Sequence, residues 1–359
     1  GETAPSLGVR LITATPLEQS LPTTNLRLGT TRGTNALLER RGATVAFFTT
    51  AGFGDLLRIG TQQRPDIFAF PVVLESPLHA RTVELDERVA VDGRVLVPLD
   101  HEQLRRSAME AIEAGCTSAS VAFLHAWRND EHERAAVSIL RDCGFEHVAR
   151  SSELSPTIRI VPRAQAAVVD AAIGPIVGSF LGRVRNELGR ASPDLLVMGS
   201  GGGLTASREF HAKDALLSGP AGGVAGAVAA GRSWGFDRLL TFDMGGTSTD
   251  VSRYDHGFVY TPEQQVGAAC LSTLAIDVHT VAAGGGSVCH VEDGMMEVGP
   301  HSGGADPGPA CYGQGGTAPT VTDANLLLGY LDPDYFLGGE MRLSEDAADT
   351  AIRTIADPL

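Results

Sequence analysis

Lysine is almost missing from this 359-residue chain: Lys213 stands alone against 27 arginines. A Walker-type G-x-x-x-x-G-K-[ST] loop is therefore impossible, since no lysine follows a suitable glycine run. Schiff-base chemistry would have to use Lys213, which sits in a polar stretch. Positive charge of any kind is scarce. The 28 Lys and Arg are outweighed by 43 Asp and Glu, a net charge of −15, with no basic block anywhere. A nucleic-acid partner needs clustered positive surface, so none is expected. Cysteines number five (Cys116, Cys143, Cys270, Cys289, Cys311), widely scattered and without a C-x-x-C. That pattern argues against a disulfide framework and against a structural zinc site, and a reducing cytoplasm is the expected compartment. No H-E-x-x-H is present. No run approaches about eighteen apolar residues, so no membrane span is expected. The chain opens on Gly1 rather than Met, without a charged and apolar leader, and stops at Leu359, so a piece of a longer protein is expected.

Glycine, by contrast, is abundant and unevenly placed. Of 43 glycines, 26 fall within 199–329, in short motifs between apolar runs. Glycine costs backbone entropy on folding, so this density means tight turns or a backbone that itself binds something. The remaining pattern is α/β. Residues 43–49 read as a strand, and 120–125 as a second strand apolar enough to be buried on both faces. Helical spacing covers 102–115 and 131–143, a hairpin turning at Asp92-Gly93 covers 85–97, and Pro162 opens a long helix toward Leu188. The length suggests roughly two domains, and the boundary is placed near residue 150, giving 1–150 and 151–359.

The chemistry is expected in the second half. Residues 238–243 read as a buried strand running into Met244-Gly245-Gly246-Thr247-Ser248-Thr249-Asp250 and a following strand. A D-x-G-G-T-x-T-D motif in a strand–turn–strand hairpin is neither a Rossmann fingerprint nor a P-loop, both of which lead into a helix. Gly245 and Gly246 allow close backbone approach to phosphate, and their N–H groups can form an anion-binding nest. Thr247 and Thr249 supply hydroxyls, Asp243 is placed to hold Mg²⁺, and Asp250 to orient a water or stiffen the hairpin. The plain alternative is a tight turn whose aspartates cap backbone N–H groups. Ser218, Gly219, Gly222 and Gly223 precede a small-residue helix, an anion or ribose site by geometry or else a close helix–sheet contact. Gly284, Gly285, Gly286 and Ser287 offer a third backbone cradle, with a sharp turn or bulge as the alternative. Asp277, His279 and His290 invite a metal reading, although alternation on a strand produces such spacing without metal.

Several segments resemble the hydantoinase A/oxoprolinase family: 29–40 (G-T-T-R-G-T-N-A-L-L-E-R), 217–223 (L-S-G-P-A-G-G), 242–251, 304–313 (G-A-D-P-G-P-A-C-Y-G) and 321–325 (V-T-D-A-N). Within the family, 62–68, 160–163 and 280–287 lean toward ATP-dependent 5-oxoprolinases over hydantoinases and ketone carboxylases. The resemblance implies an α/β fold of actin-like ATPase lobes, shared with sugar kinases and heat-shock chaperones, with ATP between two lobes. It implies ATP and Mg²⁺ at the residues above, and a small cyclic amide as substrate. The implied reaction takes 5-oxo-L-proline, ATP and water to L-glutamate, ADP and phosphate, completed by a B-type half in the same chain or a separate subunit, with a homo-oligomer left open. Two departures stand out. The family's N-terminal D-x-G-G-T-x-T-D loop is missing, so the first lobe is expected to lack its N-terminal part and this chain alone to be inactive. Gly201 also stands where relatives usually carry Asp or Asn. Two further readings stay open: the A subunit of a hydantoinase or ATP-dependent carboxylase, and a non-catalytic actin-like nucleotide-binding module.

Overall fold

The computed structural model describes residues 2–62, 68, 70, 76–189, 195–266, 269–292 and 294–357. Most of the 62–68 segment thus lies outside the described residues. The chain forms two compact units, one of residues 1–225 and 260–276, the other of 226–259 and 277–359.

Unit 1 is built on a four-stranded parallel sheet of β1 (Val45–Thr50), β2 (Arg81–Leu85), β3 (Ser118–Ala122) and β4 (His147–Arg150), in the order β2-β1-β3-β4. Every residue of β1 is buried, because helices cover both faces. On one face Ala46 and Phe48 pack with Leu104 and Ala108 of α1 (His101–Glu113) and Ile139 and Leu140 of α2 (Glu131–Cys143). On the other, Phe47 packs with Ala164 and Val168 of α3 (Ile160–Leu188). Asp100 caps α1 by accepting from the N–H groups of Glu102 and Gln103. These elements match the expected ones to within a few residues, and the hairpin turns at Gly93 (φ 92°) as expected.

α3 is 29 residues long and reaches a mean hydropathy of 1.5 over its most apolar stretch, enough by length and composition to cross a membrane. Yet 72% of that stretch is buried inside the fold, which makes it the core helix of this unit. No run of about eighteen consecutive apolar residues is needed to reach that value, since Arg163, Asp170 and Arg183 interrupt the helix. Its packing also explains why the expected boundary at 150 falls inside unit 1: α3 covers the sheet that precedes it.

Unit 2 begins within α4 (Ser218–Ser233) and holds an antiparallel sheet of β5 (Arg238–Met244), β6 (Thr249–Asp255) and β7 (Val278–Val281), in that order. A two-stranded ribbon follows, β8 (Ser287–Glu292) and β9 (Met295–Ser302), then α5 (Val321–Leu327) and α6 (Glu345–Ala356). A small core of Cys311, Leu326, Leu343 and Ala348 holds the two helices together. The expected buried strand at 238–243 is instead an outer strand: Leu240 is 79% and Phe242 71% exposed. Among the described residues β5 has one neighbour, β6, which leaves its other edge and one face uncovered.

Candidate functional site

The D-x-G-G-T-x-T-D motif is the hairpin expected of it. β5 and β6 are joined by Gly245-Gly246-Thr247-Ser248, and the loop is closed by the Gly245 N–H donating to Ser248 O at 2.8 Å. The next three N–H groups, of Gly246, Thr247 and Ser248, donate to no protein acceptor among the described residues. A Cβ built on Gly246 meets nothing within 4 Å, so this tip is open. Consecutive free N–H donors on an exposed turn form an anion-binding concavity. The register places Asp243 directly opposite Asp250, so both carboxylates share one sheet face beside that tip. Asp250 accepts from the Thr280 hydroxyl at 2.7 Å, while Asp243 is exposed. Thr247 is exposed with its hydroxyl free among the described residues. Thr249 is buried and donates to Ala283 O, so its hydroxyl ties the hairpin to the 283 loop rather than facing outward.

Gly284 to Ser287 are brought directly onto this hairpin, but as a brace. The Gly285 N–H donates to Gly245 O (2.9 Å) and the Gly286 N–H to Gly246 O (2.7 Å). The Gly284 N–H donates to Ser287 Oγ (2.8 Å), and the Ser287 N–H to Gly284 O (3.0 Å). Every donor expected to cradle a ligand is engaged in holding the turn. The glycines are required by proximity: a Cβ on Gly284 would lie 2.6 Å from Thr247 N and 2.7 Å from Gly245 O. Neither backbone atom can step aside. Gly284→Ala is expected to cost about 1–3 kcal/mol as overpacking, whereas Gly246→Ala stays within about 0.5 kcal/mol. Thermal unfolding of the two variants side by side checks this; equal losses would remove the brace.

The other family-like segments of unit 2 converge on the same brace. Thr322 donates both its N–H (2.8 Å) and its hydroxyl (2.7 Å) to Gly285 O. The next residue, Asp323, is fully buried; its carboxylate accepts from the N–H groups of Ala310, Cys311 and Thr320 and from the Thr320 hydroxyl. One side chain thereby fixes the 304–313 loop and completes the capping box of α5. Burial, with Asp323 beside it, pushes the Cys311 thiol up to about 12. All five cysteines are free, and Cys116, Cys289 and Cys311 are buried.

In unit 1 the second glycine motif differs from expectation. Gly219, Gly222 and Gly223 lie within the first turns of α4, which begins at Ser218 with Pro220 in its first turn. Ser218 is buried and pinned to Thr30, donating to its carbonyl (3.0 Å) and accepting from its N–H (3.3 Å). The Thr34 hydroxyl donates to Leu216 O. Segments 29–40 and 217–223 are thus interlocked, and Ser218 acts as a positioning group. Gly219 and Gly223 remain exposed.

Of the histidines weighed for metal, His290 lies near Glu292 (3.9 Å) and Glu297 (3.7 Å), two acids absent from the expected set, while Asp277 and His279 do not join it. Gly231-Arg232-Ser233-Trp234-Gly235 has the letters of a nucleophile elbow. Ser233, however, ends α4 and donates to Ala230 O (2.7 Å), with no strand leading into it.

Comparison with known proteins agrees with these motifs. Residues 2–144 match the family model of the hydantoinase/oxoprolinase N-terminal region, and residues 163–359 that of hydantoinase/oxoprolinase. The chain is 39% identical to 5-oxoprolinase 1 of Arabidopsis thaliana over 93% of its own length, and spans 29% of that relative. Its fold is similar to the crystal structure of the ATP-dependent caprolactamase from Pseudomonas jessenii (TM-score 0.82, 32% identity, 100% of this chain and 54% of that one). It is also similar to nucleotide-free acetone carboxylase (TM-score 0.73, 26% identity, 93% of this chain and 50% of that one). The two family models together take in nearly the whole chain, which belongs to the hydantoinase/oxoprolinase family.

Proposed function

We propose that this chain supplies the ATP-binding part of an enzyme that opens a cyclic amide, 5-oxo-L-proline, giving L-glutamate, ADP and phosphate from substrate, ATP and water. The observation that carries the reading is the hairpin tip, with three free N–H donors beside two opposed carboxylates. In this reading Gly246, Thr247 and Ser248 hold phosphate oxygens through their N–H groups, and the Thr247 hydroxyl adds a donor. Asp243 holds Mg²⁺, which favours few carboxylates plus phosphate, and Asp250 keeps its place through Thr280. ATP supplies the driving force: its γ-phosphoryl group moves to the lactam oxygen, ADP leaves, and water then opens the activated C–N bond as phosphate departs. The chain's part is positioning and charge neutralisation, which dominate phosphoryl transfer. The names of the relatives support the substrate class, since a 5-oxoprolinase and a caprolactamase are both named for cyclic amides. An actin-like arrangement and a B-type half that completes hydrolysis belong to the same proposal.

The test is a structure of the full-length enzyme with Mg²⁺ and a non-hydrolysable ATP analogue. Phosphate oxygens are expected within about 3.2 Å of the 246–248 N–H groups; phosphates bound elsewhere would overturn the assignment. A second reading, the A subunit of a hydantoinase or ketone carboxylase, is favoured by the likeness to acetone carboxylase. Phosphate release measured with 5-oxoproline, hydantoin, caprolactam and acetone separates the readings by the fastest substrate.

A further inference from the structure

Unit 1 carries a cavity of about 180 Å³ that none of the glycine motifs above lines. Its floor is the middle of α3, where Gly174, Gly178 and Gly182 recur every fourth residue and so share one helix face. A Cβ on Gly178 or Gly182 meets nothing within 4 Å, so this glycine face borders open space rather than a packed neighbour. At Gly174 the reason for glycine is different. A Cβ there would lie 2.4 Å from His147 Nε2, so only a bare backbone lets the imidazole cross the helix.

His147 crosses in order to reach Asp170, Nε2 to Oδ2, at 3.1 Å. Asp170 is 3% exposed on a helix whose other buried residues, Arg163 apart, are apolar, and its other oxygen accepts the Lys213 N–H at 3.0 Å. A buried carboxylate needs such partners, and both of its oxygens are engaged. Ser207, Arg185 and His211 complete the polar lining, and neither the Arg185 nor the His211 side chain has a hydrogen bond or ion pair among the described residues. The chain as a whole carries −15, yet the lining holds one acid, already engaged, against a guanidinium and two imidazoles.

We propose that this cavity binds a small oxyanion, either inorganic phosphate or the carboxylate of a short organic acid. Arg185 supplies the planar fork that suits both groups, and His211 and His147 line the site beside it. The volume points to a small group, because pockets for drug-sized ligands run to about 300–1,000 Å³. The proposal is independent of the hairpin reading, since every residue it uses lies in unit 1.

Calorimetric titration of the chain with inorganic phosphate and, separately, with L-glutamate tests it, against sodium chloride at matched ionic strength. Saturable binding with a millimolar dissociation constant is expected for at least one probe, and the pattern shows whether phosphate or carboxylate is the preferred group. Arg185→Gln is expected to weaken that binding at least about tenfold, the usual scale of a lost charged hydrogen bond. Gly178→Leu, which fills the void from an open helix position, is expected to abolish it. Both positions are exposed, so both variants should unfold within a few degrees of the parent. Absence of saturable binding by either probe, an equal response to chloride, or binding unchanged in both variants would overturn the proposal.

Discussion

Asp243→Asn in the full-length enzyme is expected to lower ATP-dependent turnover by about 10²–10³-fold, the scale of losing one preorganised charge at a reacting phosphate. The fold should be untouched, because Asp243 is exposed and its carboxylate makes no hydrogen bond to protein among the described residues. The geometry sharpens the expectation. Asp243 and Asp250 are direct partners across the β5–β6 ladder. Like charges directly opposite repel by about 0.2–1 kcal/mol, so without metal the pair is a small liability that Asn relieves. In the proposed reading, Mg²⁺ and phosphate would turn the same pair into the place where a cation is held. The variant should therefore show unchanged or slightly raised thermal stability without nucleotide, a weaker Mg²⁺ dependence and a large fall in turnover. Near-wild-type turnover with an unchanged Mg²⁺ titration would remove Asp243 as the metal group. A parallel fall in melting temperature would show a structural role instead.

What the sequence made legible is the local part of this picture. The β1 strand, the two flanking helices and the hairpin all follow from periodicity and turn residues within a window of ten or twenty positions. What it left hidden depends on partners far along the chain. Nothing near Gly284 says that the N–H groups of Gly285 and Gly286 serve a turn forty residues earlier, so a brace reads as a cradle. Ser218 likewise meets Thr30 across 188 positions. The start of α4 was obscured for a different reason: Gly219, Gly222 and Gly223 are poor helix formers, and tertiary context overrides that propensity. β5 misleads through its own pattern, since Leu240, Phe242 and Met244 alternate like a buried face whether or not anything covers them. The burial of charge in α3 is hidden in the sequence because Arg163 and Asp170 look like the wet side of an amphipathic helix. Their partners lie on β4 and α2.

Glu133→Ala is expected to destabilise unit 1 by about 3–5 kcal/mol, because it strands a buried guanidinium. Glu133, Ser151 and Arg163 are all 0% exposed. Arg163 donates through Nη1 to Glu133 (3.3 Å) and Ser151 (2.5 Å), and through Nη2 to Phe123 O (2.7 Å). Glu133 in turn accepts from the Phe123 N–H, the Ser152 N–H and the Ser151 hydroxyl, so its removal also orphans three donors. Burial already holds the Arg163 guanidinium below the usual arginine range, and the Glu133 charge is what opposes that pull. Losses on this scale approach the whole stability of an ordinary domain, about 5–15 kcal/mol. A structural ion pair of this kind makes a further demand. Replacing both partners by apolar residues, Glu133→Leu with Arg163→Met, should recover much of the loss, since neither charge then remains to be solvated. Urea unfolding followed by tryptophan fluorescence reads the right unit, because Trp127 lies in unit 1 and is partly buried, while Trp234 is already 77% exposed. A loss below about 1 kcal/mol in the single variant would mean that water reaches Arg163 in solution. A double variant no better than the single would mean that the Ser151, Ser152 and Phe123 donors, and not the charge, set the cost.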